Sequence, residues 1–137
     1  MATRNAEVVS SIYGALARGD VDAALAALDP DVVWVEPDTP GLPFAGVHHG
    51  REGVLGEVFA TVPATWDEFR VEAEELLADG ESVVALGRFR ARVGDRILDT
   101  PFAHVWRVRA GLAAEFRNFT DTAAFLAVLR PAASPVA

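Results

Sequence analysis

The residues best suited to chemistry lie between Pro101 and Asp121, in the segment PFAHVWRVRAGLAAEFRNFTD. Its one histidine, His104, comes two positions after Phe102 and two positions before Trp106. An imidazole with its ordinary pKa of about 6.5 can accept or donate a proton at neutral pH. Asp121 closes the segment, and a carboxylate in an apolar pocket is a better base than one in water. His104 and Asp121 are therefore the candidate catalytic pair.

The alternation of residues in this segment predicts a β-hairpin that turns at Ala110-Gly111. Successive side chains of a strand point to opposite faces, so Phe102, His104 and Trp106 should share a face. Every second residue of 112–120 should do the same on the second strand. The hairpin thus predicts one aromatic face that carries a single imidazole.

Asp121 has the strand parity of Phe119 rather than that of Asn118. It therefore reaches the aromatic face only if a bulge or the end of the strand turns it. Its place just before a short helical pattern also suits a helix N-cap, which stabilises a helix by about 1 kcal/mol. Catalysis and capping both remain open for this residue.

Aromatic residues with one amide on the same parity predict the walls of a binding pocket. Such walls suit a planar or polycyclic ligand, and packing in an ordinary core is the alternative. The candidate ligand contacts from this pattern are Trp34, Phe102, Trp106, Phe116 and Asn118.

Other polar residues give weaker signals. Glu36 and Asp38 flank Pro37 and are expected to be solvated loop carboxylates, with a displaced catalytic base as the alternative. His48 and His49 are adjacent, so on an extended chain they point to opposite sides and cannot bind one metal ion together. No metal site and no cofactor are expected.

Composition narrows the chemistry further. The chain has no cysteine, and its twelve basic residues are all arginine. Thiolate nucleophiles, cysteine-ligated metals and lysine Schiff bases are therefore excluded. The net charge of -8 argues against nucleic acid and anionic membrane surfaces as partners. No signal peptide or membrane-spanning run is recognisable, so a cytoplasmic protein is expected.

Hydrophobic periodicity predicts helices first and strands afterwards. This order favours an α+β domain, in which helices cover one face of a curved antiparallel sheet that bends like a cone around an apolar pocket. A single domain 1–137 is expected, with its core at about 6–129 and a frayed tail at 131–137. The predicted helices are 3–18, 20–28, 50–62 and 122–129, and the predicted strands are 32–35, 66–78, 82–92, 100–109 and 112–120.

The strand 82–92 carries arginines on the face away from the pocket. Arg88, Arg90 and Arg92 alternate with small and apolar residues, and Gly87 marks a bend or bulge. A solvated face is one interpretation of the arginine row. The other is a homodimer surface, in which the row pairs with the acidic region 67–75.

Four motifs in this order resemble the SnoaL-like branch of the nuclear-transport-factor-two-like superfamily. They are DPDVVWVEP, LPFAGVHHGREGV, FAHVWRVRAG and FRNFTDT, and the resemblance extends from Ala6 to Leu129. It implies a cone-shaped α+β barrel, usually dimeric, with a deep apolar pocket between helices and sheet.

The resemblance also implies roles for particular residues. The general base of ketosteroid isomerase falls on Pro37, and its oxyanion-hole acid falls on His104. The isomerase's tyrosine falls near Ile12, which makes the adjacent Tyr13 a further candidate ligand contact. Polyketide cyclases of the SnoaL branch use an acidic residue and a histidine without cofactor or metal, which corresponds here to Asp121 and His104.

Two functions follow from the resemblance. One is a cofactor-independent isomerase, cyclase or dehydratase that acts α to a carbonyl of a small hydrophobic compound. The other is a non-catalytic binding or accessory protein that uses the same pocket. The proline at the base position favours the second, and the polar residues among pocket aromatics favour the first.

Overall fold

Two helices precede a sheet of six strands in the computed structural model, which describes residues 2–129. The predicted tail at 131–137 lies outside the described residues. The helices are α1 (Ala2–Ala17), α2 (Val21–Ala26), α3 (Gly50–Val54), α4 (Thr61–Thr65) and α5 (Thr122–Leu129), with a π-helical segment at Leu55–Phe59. The strands are β1 (Leu28–Glu36), β2 (Gly46–His49), β3 (Glu68–Asp79), β4 (Ser82–Val93), β5 (Arg96–Arg109) and β6 (Leu112–Thr120).

The N-terminal helices form where the periodicity predicts them. Val9 and Ile12 lie one turn apart on α1 and are fully buried against the sheet. Gly19, with a φ of 71°, lies just after the end of α1. The Asp20 side chain then accepts a hydrogen bond of 3.1 Å from the Ala23 amide and caps α2. The predicted cap at Asp20 is confirmed. None of the helices in residues 2–129 combines the length and the apolar character needed to span a membrane.

The third predicted helix, 50–62, is interrupted. It divides into α3, the π-helical segment and α4, of which the π-helical segment contains Gly56. Glycine is the least favourable ordinary residue in a helix interior, and π-helical turns are typical of places where the regular ladder is disturbed.

The sheet has the strand order β2-β1-β6-β5-β4-β3. It is curved and unclosed, with helices packed on one face, as the α+β prediction states. One junction differs, because β1 runs parallel to β6 and Trp34 lies opposite Phe116. The expectation of a wholly antiparallel sheet is wrong there. Periodicity shows which face of a strand is buried, but it does not show the direction of the strand's neighbour.

The predicted loop 36–50 contains a strand at its end. β2 pairs antiparallel with β1, with His48 opposite Trp34 and Val47 opposite Val35. Prolines and glycines dominate the first part of this loop, so the four-residue strand GVHH gives no periodic signal of its own.

The sheet bends where β4 meets β3. Gly87 of β4 is opposite a register shift between Ala73 and Glu75, so β3 carries a bulge at this point. A Cβ at position 87 would lie 2.0 Å from the carbonyl oxygen of Glu72. Only glycine permits this approach of the two backbones, and the predicted bend at Gly87 is confirmed.

The arginine row of β4 lies on the outer face, as its parity predicts. Arg90 lies 2.6 Å from Glu72, Arg88 lies 2.6 Å from Asp99, and Arg92 lies 3.6 Å from Asp67. Glu72 and Asp99 belong to the neighbouring strands β3 and β5 of the same chain, and Asp67 lies just before β3. All of these side chains are at least one-third exposed to solvent, so each pair contributes little to stability.

The substitution Gly87→Ala tests the bend. We expect it to lower the free energy of unfolding by about 2–4 kcal/mol, because the new methyl group meets backbone that cannot move aside cheaply. Chemical denaturation measures the change. Gly56→Ala is the matched control, since no atom lies within 4 Å of a Cβ there. Equal stability of the Gly87 variant and the wild type would show that the close approach does not hold in solution.

Candidate functional site

A cavity of about 270 Å³ lies between the helices and the inner face of the sheet. Its wall is mainly aliphatic and aromatic, and it includes all three tryptophans of the chain, Trp34, Trp66 and Trp106. Four other polar side chains reach this wall within the described residues: Tyr13, Glu36, His104 and Asn118. They form the polar end of the site.

Strand pairing brings three of these polar residues together. His104 of β5 lies directly opposite Asn118 of β6. β6 in turn pairs with β1, whose buried face carries Trp34 and, two residues later, Glu36. Adjacent strands thus place an imidazole, an amide and a carboxyl in a row along one face. Tyr13 approaches the same row from α1.

The hydroxyl of Tyr13 fixes the imidazole of His104. It accepts a hydrogen bond of 3.0 Å from the indole nitrogen of Trp106, so its own hydrogen is free for Nδ1 of His104 at 2.6 Å. Nδ1 is therefore an acceptor, and the ring hydrogen of a neutral His104 lies on Nε2. The hydrogen-bond network thus selects one tautomer.

The surroundings of His104 keep it neutral. Burial lowers its pKa well below the usual value, while the Asn118 side chain raises it to a smaller extent. The ring stacks on Phe102 with centroids 3.7 Å apart. Burial likewise raises the pKa of Tyr13, although the hydrogen bond from Trp106 lowers it, so the phenol stays protonated.

Two buried polar atoms in this row have no geometrically good hydrogen-bond partner. They are Nε2 of His104 and Oδ1 of Asn118, on side chains that are 3% and 5% exposed. One is a donor and the other an acceptor, and they belong to directly opposed residues. Because they do not meet in good hydrogen-bond geometry, they satisfy each other at most weakly. Buried polar atoms without partners are uncommon, and here both belong to the wall of a cavity.

Glu36 is a buried carboxyl that accepts two hydrogen bonds. The amide of Asn118 donates to Oε1 at 2.9 Å, and the indole of Trp34 donates to Oε2 at 2.8 Å. Burial raises the pKa of Glu36 to about 7, although these two hydrogen bonds and the charge of His48 lower it. A base with a pKa near the working pH is well matched to proton transfer.

Together these groups make a polar row with distinct chemical properties. Glu36 can take up or release a proton near neutral pH, whereas His104 presents a neutral N–H donor. Such a pair can remove a proton and stabilise the negative charge that develops on a nearby oxygen. No three side chains of the kinds that ligate metals converge anywhere in the described part of the chain.

Residues 9–116 match the family model of the SnoaL-like domain. This match covers well over half of the chain. The chain belongs to the SnoaL-like family. The family predicted from the four motifs is thereby confirmed, and no curated protein matches the chain.

Several solved structures have the same fold as this SnoaL-like protein. An NTF2-like protein of unknown function from Burkholderia pseudomallei is 34% identical, with a TM-score of 0.85 over 93% of this chain and 98% of that one. TerC, crystallised with polyporic acid, is 27% identical, with a TM-score of 0.85 over 92% and 98%. A putative SnoaL-like polyketide cyclase from Jannaschia is 18% identical, with a TM-score of 0.78 over 93% and 92%, and shows the fold alone.

The structure brings most of the predicted site residues of this SnoaL-like protein together. Phe102 does not line the cavity but lies behind His104 as its stacking partner. Asp121 is exposed, and its carboxylate accepts a hydrogen bond of 3.2 Å from the Ala124 amide, which caps α5. Of the predicted site residues, those at the cavity wall are Tyr13, Trp34, His104, Trp106, Phe116 and Asn118.

The carboxyl that the cavity does contain is Glu36, and its expected place in a solvated loop is wrong. β1 extends through Glu36, so the residue keeps the inward parity of Trp34 and is 7% exposed. Asp38 is exposed, as expected. The alternation of Val32, Trp34 and Glu36 indicates a carboxyl on the inner face of β1. Because Pro37 follows directly, the sequence predicts that the loop begins at Glu36, whereas the strand extends through this residue.

The raised pKa of Glu36 predicts a pH dependence of stability. Between pH 4.5 and about 7 the folded state binds more protons than the unfolded state, so the free energy of unfolding falls as the pH rises. Glu36→Gln lacks this loss. We expect its stability relative to wild type to increase by up to about 3 kcal/mol from pH 5 to pH 8.

Chemical denaturation of the two proteins across this range measures the difference. Contributions of His104 are common to both proteins and cancel. Asp38→Asn is the matched control, because it removes an exposed carboxylate two residues away and should leave the curve parallel to wild type. Parallel curves for Glu36→Gln and wild type would contradict a carboxyl that stays protonated to neutral pH.

Proposed function

We propose that this SnoaL-like protein binds a small, largely apolar organic molecule that carries a carbonyl group and moves a proton on the carbon next to it. The observation that carries the proposal is a buried carboxyl, Glu36, with a pKa of about 7 on the wall of an aromatic cavity. Isomerisation, cyclisation and dehydration all begin with this kind of proton transfer, and none needs a cofactor.

The proposed step assigns separate roles to Glu36 and His104. The Glu36 carboxylate takes a proton from the α carbon, and the electrons of the broken C–H bond move into the carbonyl group. The resulting oxyanion accepts a hydrogen bond from Nε2–H of His104, which is otherwise without a good partner. Protonated Glu36 then returns its proton to carbon or to a leaving group. Glu36 thus replaces Asp121 as the proposed base.

Size and neighbours support a small ligand. A cavity of about 270 Å³ is close to the lower end of the range of about 300–1,000 Å³ for small-molecule sites. TerC was crystallised with polyporic acid, and its fold superposes on this chain with a TM-score of 0.85. Polyporic acid is therefore a reasonable first probe for the cavity.

Non-catalytic binding is the second candidate function. Both oxygens of Glu36 already accept hydrogen bonds from the protein, and Nδ1 of His104 is taken by Tyr13. A carboxyl held in this way can help to shape a cavity without ever exchanging its proton with a ligand. This observation favours an accessory protein that holds a hydrophobic molecule.

Tryptophan fluorescence tests binding, since all three tryptophans line the cavity. We expect polyporic acid and the neutral probe N-phenyl-1-naphthylamine each to quench the emission in a saturable manner. Phe59→Trp, at the cavity wall, should weaken binding because it reduces the volume. Leu55→Trp, on an exposed position of the same segment, is its control. Absence of saturable binding for both probes would overturn the proposal.

Proton exchange at carbon separates the two functions. In D₂O at pH 8, we expect the protein to accelerate deuterium incorporation into the α position of 2-tetralone, followed by NMR. Glu36→Gln should reduce the acceleration by about 10²-fold or more, because general-base catalysis contributes about that much. Asp121→Asn keeps the helix cap and should retain the wild-type rate. Binding without any acceleration would identify the accessory protein instead.

We also propose that two copies associate through the outer face of the sheet. Exposed apolar side chains lie there beside the arginine row, with Leu86 and Phe119 on either side of Ala103 across three strands. Since Arg88, Arg90 and Arg92 have acidic partners within the chain, the apolar patch is the centre of the proposed interface.

Analytical ultracentrifugation tests this association. We expect a dimer for wild type and a monomer for Phe119→Glu, because the new charge would be buried without a partner. Leu55→Glu changes an exposed apolar residue on the helical side and should remain dimeric. A monomeric wild type would overturn the association without affecting the proposed chemistry.

A further inference from the structure

His48 of β2 is a buried histidine outside the polar row, held between two hydrogen-bond acceptors. Its Nδ1 lies 2.7 Å from Oε1 of Glu57, and its Nε2 lies 2.7 Å from the carbonyl oxygen of Phe44. The His48 side chain is 7% exposed, whereas that of Glu57 is 62% exposed.

The chemistry of these partners determines the charge of the ring. A backbone carbonyl only accepts, so Nε2 must carry a hydrogen. A solvated carboxylate also accepts, so Nδ1 must carry one as well. An imidazole with hydrogens on both nitrogens is the cation. Only the imidazolium donates to both acceptors, and it would form a charge-assisted pair with Glu57.

Within residues 2–129, the neighbouring cation Arg51 has other hydrogen-bond acceptors. The guanidinium of Arg51, on the adjacent helix α3, donates to the carbonyls of Leu28 and Ala26. His49 and Glu52 are exposed, so water screens them. The positive charge of His48 also acts on Glu36, the buried acid of β1, and lowers its pKa.

The contacts of His48 join two parts of the cavity wall. Phe44 belongs to the loop after β1, and Glu57 belongs to the π-helical segment together with Val58. Phe44 and Val58 both line the cavity. His48 also pairs across the sheet with Trp34, whose indole donates to Glu36. The His48 ring thus contacts two parts of the cavity wall, and its strand pairs with Trp34, the hydrogen-bond donor to Glu36.

We propose that His48 acts as a cationic positioning residue, which fastens the Phe44 loop to the π-helical segment beside the strand that carries Glu36. The inference deepens the proposed function, since it concerns what controls the charge of the base. His48 itself does not line the cavity and takes no part in proton transfer to the ligand. A neutral His48 has only one N–H group, so it could donate to either Glu57 or the Phe44 carbonyl but not to both.

The direct test is NMR of the histidine rings and of the Glu36 carboxyl. In wild type at pH 6, ¹⁵N shifts should show both His48 nitrogens protonated, whereas His104 should show only Nε2 protonated. In His48→Gln, the titration midpoint of Glu36 followed by carboxyl ¹³C should shift upward. A His48 ring with a single hydrogen at pH 6, or an unchanged Glu36 midpoint, would overturn the inference.

Two further variants keep the test informative. Glu57→Gln removes the exposed partner with little risk to folding, and it should decrease the protonated fraction of His48 at pH 7. His49→Gln changes the exposed neighbour and should leave the Glu36 midpoint at its wild-type value. None of these measurements needs a ligand or turnover. If 2-tetralone exchange is absent while the Glu36 midpoint still responds to His48, the proposed catalysis fails and the positioning role stands.

Discussion

The structure depends on one demanding interaction, which is the burial of the Glu36 carboxyl. Removing a carboxylate from water is costly unless hydrogen bonds replace its solvation, and two N–H donors do so here. Those donors come from Trp34 and Asn118, so β1 and β6 must meet in the correct register. The parallel junction between these strands is therefore a requirement of the site as well as a feature of the sheet.

Around this carboxyl, the polar groups of the cavity are ordered by hydrogen bonds that leave little freedom. The indole of Trp106 donates to Tyr13, and the hydroxyl of Tyr13 donates to His104. Each bond determines the direction of the next, which is why the imidazole has one tautomer. Preorganised donors of this kind need no rearrangement when charge develops nearby. The same rigidity would also suit a protein that only holds its ligand.

Much of this could be predicted from the sequence, because the strong signals are local. The alternation in 101–120 placed His104 beside aromatic rings, and the parity of β4 placed Gly87 and the arginine row. The less local features were missed. The residue pattern of a strand does not indicate whether its neighbour runs parallel or antiparallel. Pro37 indicates a loop, so the inward-facing position of Glu36 was not predicted. The sequence leaves catalysis and capping both open for Asp121, and in the structure this residue caps α5.

The parallel junction also has a consequence for the order of folding. Glu36 and Asn118 are separated by 82 residues in the chain, so their hydrogen bond is a long-range contact. Contacts of this kind form late, since a large loop must close before they bring any benefit. During synthesis β1 emerges well before β6. Until β6 arrives, Glu36 lacks one of its two donors, and the carboxyl remains better served by water than by the protein.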